Sequence, residues 1–185
     1  MKWMAVLLVV VGTAWEGRAH RLDECLQAAR IRVERGRLDV SIDVTPGVAV
    51  ADLVLTGIDQ DQDGRISEEE EKAYAKVVIR DVNISLDGEP FSLKLRRVRA
   101  SPLYELQQGL GAIRIQAQAE FKPLTEGPHR LNLTNNHLPD ISVHLVNALE
   151  PDGEEIVITG QDRDRSQRSY NLCFEVRADG ESREP

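Results

Sequence analysis

Residues 38 to 44 read Leu-Asp-Val-Ser-Ile-Asp-Val, and this strict alternation decides the fold. Leu38, Val40, Ile42 and Val44 fall on one face; Asp39, Ser41 and Asp43 fall on the other. Period two with one polar face is the pattern of a half-buried strand. Just upstream, Cys25 to Val33 alternates less strictly, and Arg35-Gly36 between the two runs marks a tight turn. The pair therefore reads as a hairpin. The same period returns downstream in 82–86, 91–98, 112–121, 129–133, 142–149, 155–158 and 170–176, with Asp87-Gly88 as a further turn signal. Within 91–98, Phe91, Leu93 and Leu95 are expected inward and Lys94 and Arg96 outward. In the last run Tyr170, Leu172, Phe174 and Val176 share one side, and Cys173 takes the other. About eight or nine short, half-polar strands predict a mainly β chain. Half-polar faces suit an antiparallel β-sandwich of immunoglobulin-like architecture, not a parallel sheet buried on both sides.

One stretch breaks the alternation. From about residue 47 to 80 the pattern turns helical, and at its centre residues 59–70 read Asp-Gln-Asp-Gln-Asp-Gly-Arg-Ile-Ser-Glu-Glu-Glu. This matches in full the twelve-residue calcium loop of an EF-hand. Ca²⁺ is a hard cation that takes six to eight oxygens at about 2.3–2.6 Å. Asp59, Asp61 and Asp63 stand at positions 1, 3 and 5, and Glu70 at position 12 can close the site with both carboxylate oxygens. Arg65, at position 7, offers its backbone carbonyl, and Ser67, at position 9, can hold a bridging water. Gly64, at position 6, sits where the chain turns sharply and where a Cβ is expected to clash. Ile66 can pin the loop to an apolar neighbour. The flanks agree: 48–58 can form the entering helix and Glu68–Arg80 the exiting one, with Ala73, Val77 and Val78 on its apolar face. The acidic start of the exiting helix suits the positive end of its dipole, and Glu68 with Lys72 forms an i,i+4 pair. Such hands usually pair through their loops. With no second loop in the sequence, the sandwich is expected to take the partner's place against Ile66 and the helices.

The chain has 185 residues and a net charge of −8. Residues 59–72 hold seven acids and two bases, a balance of −5, so most of the acidity sits at the calcium loop. Elsewhere the signs are mixed, with no basic stripe of the kind that binds nucleic acid. Residues 1–19 read as a secretory signal peptide: Lys2, then the apolar run 5–11, then Gly17 and Ala19 at −3 and −1 of a cut before His20. That run is too short to span a bilayer, and no later segment is apolar enough to do so. The expectation is a periodic-strand domain over 20–177, periplasmic or secreted, followed by a polar tail at 178–185. Cys25 and Cys173 lie near opposite ends of the mature chain. In an oxidising compartment they can pair, or each can be a small core residue; the sequence leaves both open.

Four stretches resemble a family of exported bacterial domains. They are 19–28 (AHRLDECLQA), 43–50 (DVTPGVAV), the DQDQDGRIS loop and 142–149 (SVHLVNAL). These domains are similar to the extracytoplasmic N-terminal parts of hydrogenase/urease accessory (nickel-permease-like) membrane proteins, and others stand alone as EF-hand proteins. The similarity runs over most of 19–177, with the calcium loop as its one strong motif. Cys25 stands where the family often has an aromatic residue. The membrane helices of the longer members are not present in this sequence, so transport or metal insertion does not carry over. The resemblance implies a calcium-binding periplasmic or secreted module, and it leaves open whether the chain is the soluble part of a larger membrane protein.

Cleavage before His20 suggests a rival. A terminal amine and its imidazole can chelate Cu²⁺ or Ni²⁺, with His129, His137 or His144 as a third ligand. Neither G-x-S-x-G nor H-E-x-x-H occurs, so no enzyme is expected and no catalytic residue is named. The expected function is Ca²⁺ binding through Asp59, Asp61, Asp63, Arg65, Ser67 and Glu70, bracing the helical insert on a β-sandwich. The alternatives are a copper- or nickel-handling module and an adhesion or partner-binding module. The protein partner, process and oligomeric state stay open.

Overall fold

A computed structural model describes residues 23–178. The signal-peptide stretch, His20 and residues 179–185 of the tail lie outside the described residues. The described residues form ten strands, β1 (Cys25–Glu34), β2 (Arg37–Pro46), β3 (Val82–Leu86), β4 (Glu89–Phe91), β5 (Lys94–Ala100), β6 (Ile113–Glu120), β7 (Gly127–Asn135), β8 (Ser142–Ala148), β9 (Ile156–Arg163) and β10 (Ser169–Val176). They build a β-sandwich of two five-stranded sheets, ordered β5-β6-β2-β1-β8 and β4-β3-β7-β10-β9. The predicted β1–β2 hairpin forms in full register from Cys25–Pro46 to Glu34–Arg37, turning on Arg35-Gly36. Its inward residues Ile31, Leu38, Val40, Ile42 and Val44 are all buried, as are Ile113 and Ile115 of β6. From the opposite sheet Leu131, Leu133, Tyr170, Leu172, Phe174 and Val176 meet them, so the alternation places the core between the sheets.

The pairing is antiparallel with one exception. β8 lies parallel to β1, from Cys25–Ser142 to Ile31–Ala148. Only strands joined by a tight turn are bound to be antiparallel; β8 crosses over from β7 of the other sheet, so its direction is free.

The 91–98 run is not one strand. β4 ends at Phe91 in one sheet and β5 begins at Lys94 in the other, so Ser92-Leu93 carries the chain across the sandwich edge. Within β5 the register slips between Leu95 and Arg97. This bulge leaves Arg96 and Arg97 both outward and returns Val98 to the core. Alternation alone could not foresee it, because two consecutive arginines look like one surface break. A short helix at Leu103–Gln107, α3, was also unforeseen; it buries Leu106.

The Asp87-Gly88 turn forms as expected. Both residues have positive φ, 52° and 88°, as a type I′ hairpin turn requires. Asp87 does more than turn the chain. Its Oδ1 accepts the Arg130 amide at 2.8 Å and its Oδ2 meets His129 Nδ1 at 2.7 Å, while His129 Nε2 donates to the Thr125 carbonyl at 2.9 Å. Two acceptors on one ring favour the imidazolium. Burial pushes His129 down, but the bonds to Asp87 and Thr125 outweigh it and the pKa ends above 6.5. A raised histidine contributes stability in full below its unfolded pKa and loses it as pH rises through the folded value. Asp87→Asn is therefore expected to destabilise the protein more at about pH 5.5 than at about pH 9, as read by urea denaturation. Equal losses at both would remove the pair from the stability account.

Candidate metal centre

Two helices flank the acidic loop. A 3-10 turn at Val48–Val50 leads into α1 (Ala51–Ile58), so the predicted entering helix has a tighter first turn. α2 spans Glu68–Arg80, as the sequence predicts. α1 approaches α3, and α2 lies on β5. Ile66 is half-buried against the core.

The face that α2 buries differs from the expected one. It consists of Glu71, Tyr74, Ala75 and Val78, with Ala73 and Val77 only half-buried. Glu71 reads as one more charge in an acidic run, yet it is a clamp. Its Oε1 accepts the Ala100 amide of β5 at 2.7 Å and its Oε2 lies 3.5 Å from Arg99 Nη1. The predicted Glu68–Lys72 pair is present at 3.4 Å, on the exposed side.

α2 is further tied down by a buried polar chain that the sequence does not announce. Tyr74 Oη and Asp81 Oδ2 take the two ring nitrogens of His137, at 3.0 and 2.9 Å. Asp81 accepts from Nδ1, which leaves Nε2 to accept from the tyrosine hydroxyl. The His137 amide donates to Asn135 Oδ1 at 2.9 Å, and Asn135 Nδ2 donates to Gln27 Oε1 at 2.8 Å. Gln27 Nε2 in turn donates to the His137 carbonyl and to Ser142 Oγ, both at 2.7 Å. Helix, both sheets and the 136–141 connection meet at this chain.

The loop itself is ordered by its own carboxylates. Asp59 caps the end of α1, and its Oδ2 accepts the Gly64 amide at 3.2 Å. Asp61 Oδ1 accepts the Asp63 amide at 3.2 Å, and Asp63 Oδ1 accepts the Arg65 amide at 2.8 Å. Gly64 has φ +80°, and a Cβ there would meet nothing within 4 Å. The expected clash is thus replaced by a conformational demand: only the left-handed backbone requires glycine. Gln62 adopts φ 60° two residues earlier.

Asp59, Asp61 and Asp63 are brought together, each with an oxygen within 4.8 Å of the others. Asp59 Oδ1 is buried and has no partner among the described residues, an acceptor that a cation could satisfy. Glu70 is placed differently. Its Oε2 accepts from Ser67 N and Oγ at 2.9 and 2.8 Å, and Ser67 Oγ accepts the Glu70 amide at 3.3 Å, forming a capping box. Its Oε1 reaches back to the Gln60 amide at 2.7 Å, over the start of the loop. These bonds, led by the Ser67 amide, hold the Glu70 carboxyl below its usual range. Ser67 is thereby occupied as a helix cap, and Arg65 is exposed with its amide turned to Asp63.

The other candidate ligands are dispersed. His129 and His137 are held as described. His144 is buried with both nitrogens unpartnered among the described residues, and burial, aided by Arg168, pushes its pKa down to about 4. Cys25 and Cys173 are both free. Cys25 is buried in β1 of one sheet, which pushes its thiol up to about 12, and Cys173 lies on the outer side of β10 in the other. Among the described residues no helix is long and apolar enough to cross a membrane. No known protein-family model matches the chain, and no curated protein matches it.

Gln27→Leu keeps the volume of the side chain but strands Asn135 Nδ2 and the His137 carbonyl. Each orphaned buried group is expected to cost about 1–3 kcal/mol, read as a drop in Tm. A neutral result would show that water replaces the amide.

Proposed function

We propose that this protein is an exported calcium-binding domain whose single EF-hand loop braces a helical insert on a β-sandwich. The observation that carries the reading is the Asp59/Asp61/Asp63 cluster, built at the required spacing between two helices, with Asp59 Oδ1 buried and unmet. Asp59, Asp61, Asp63 and Glu70 supply side-chain oxygens, Arg65 its carbonyl and Ser67 the water-bridging position. Export rests on the signal-peptide pattern of residues 1–19, and it accords with the resemblance to exported bacterial modules.

The chain's own residues explain why a cation helps. Three carboxylates gathered within 4.8 Å repel one another, and their amide bonds offset this only in part. Calcium, when bound, supplies the positive charge that removes the repulsion. Asp59 ends α1 and Glu70 lies in the first turn of α2, so ligands at the two ends of the loop fix one helix against the other. α2 is already clamped to the sandwich by Glu71 and Tyr74, so order in the loop passes directly to the core. Binding to the native state alone adds RT ln(1 + [L]/Kd), about 2.7 kcal/mol at a hundredfold excess. A site with Kd of about 10⁻⁴ M would stay mostly filled where calcium is millimolar, which favours a permanent brace over a switch.

Glu70→Gln separates the two roles of that residue. Glutamine still completes a capping box but cannot give two anionic oxygens to a metal. The variant is expected to lower Tm much more in calcium than in chelator. Calorimetric titration of the parent should give one Ca²⁺ per chain, and equal losses of Tm in both media would overturn the reading.

A further inference from the structure

An open groove of about 880 Å³ runs along one edge of the sandwich, between α2 and the point where β4 gives way to β5. Its existence follows from the chain's change of sheet. β3 pairs with β4 only from Ile84 to Leu86, because after Phe91 the chain leaves for the other sheet. Val82 and Asn83 therefore pair with β7 on one side and with no strand on the other. The floor is apolar, with Ile79, Phe91 and Leu95 half-buried.

The rim is cationic. Lys76 and Arg80 stand one turn apart on α2, and Lys94 faces them from the start of β5. Among the described residues no Asp or Glu lines the groove, in a chain of net charge −8. Lys76 and Lys94 are exposed and form no ion pair among the described residues; Arg80 leans on Asp81 at 3.5 Å. Arg80, in the last turn, meets the negative end of the helix dipole, whereas Lys76 gains nothing from its i,i+4 neighbour Arg80, a like charge. Asn83 and Thr134, a cross-strand pair on β3 and β7, add polar groups beside the floor.

An unpaired strand edge, an apolar floor and a positive rim together describe a site for an extended chain. We propose that this groove binds an extended acidic segment of a partner protein, which adds as a strand along the open edge of β3. Main-chain hydrogen bonds to a strand edge provide affinity in this mode, and alternate side chains provide specificity. Here one side-chain row would rest on Ile79 and Phe91 and the other would carry carboxylates to Lys76, Arg80 and Lys94. The reading is independent of the calcium loop, whose ligands lie at the other end of α2.

The test is selection of a random dodecapeptide library displayed on phage against the purified protein in chelator. Enriched peptides are expected to alternate acidic and apolar residues. A synthetic peptide of the enriched sequence should shift the amide resonances of 82–84 and 92–95. Its affinity should fall at least about tenfold in K76E/K94E, with Tm unchanged. The neutral K76Q/K94Q variant should fall between the two. Failure to enrich, enrichment without an acidic excess, or equal binding to K76E/K94E would overturn the proposal. So would dimerisation of the free protein that K76E/K94E abolishes, since it would assign the groove to a second copy.

Discussion

The polar chain from Gln27 through Asn135 and His137 to Tyr74 and Asp81 is the constraint on which the rest of the molecule depends. It lies where three unrelated segments meet: the first strand, the connection between the sheets, and the end of the inserted helix. Each buried group in it has a partner, so removing one member leaves others unmet in a medium where that is costly. Apolar packing holds the two sheets face to face but is indifferent to small slides. Directional bonds are not, and they set where α2 lies.

Fixing α2 has consequences at both of its ends. Its first turn shares Glu70 with the acidic loop, so the distance between the loop and the core is set by a rigid element. Its last turns, through Ile79 and Arg80, form one wall of the edge groove. A single helix thus connects the most acidic part of the chain to one of its basic parts. The charges stay apart because opposite ends of thirteen residues hold them.

The sandwich manages its edges unevenly. β5, an edge strand, is covered in Lys94, Arg96, Arg97 and Arg99 and broken by a bulge, both of which discourage pairing with another chain. β4, at the edge of the other sheet, is only three residues long and contains Pro90. The part of β3 beyond it, Val82 and Asn83, has no strand partner on that side and no such protection except the rim cations, which repel basic chains and admit acidic ones.

Much of this was legible in the sequence. Period-two alternation determined which residues of β1, β2, β6, β7 and β10 face the core, because burial of one face is a property of the strand itself. The turn at Asp87-Gly88, the extent of α2 and the grouping of Asp59, Asp61 and Asp63 were equally local, being matters of spacing and backbone conformation. Tertiary structure alone decided the rest. The break of 91–98 into two sheets, the parallel entry of β8 and the buried face of α2 depend on partners far away in the chain. Glu71 counted only as one of the acids around the calcium loop and became a clamp, and His137 looked like a spare ligand and became a strut. A residue's neighbours in sequence say what conformation it can adopt, whereas its hydrogen-bond partner across the fold says what it does.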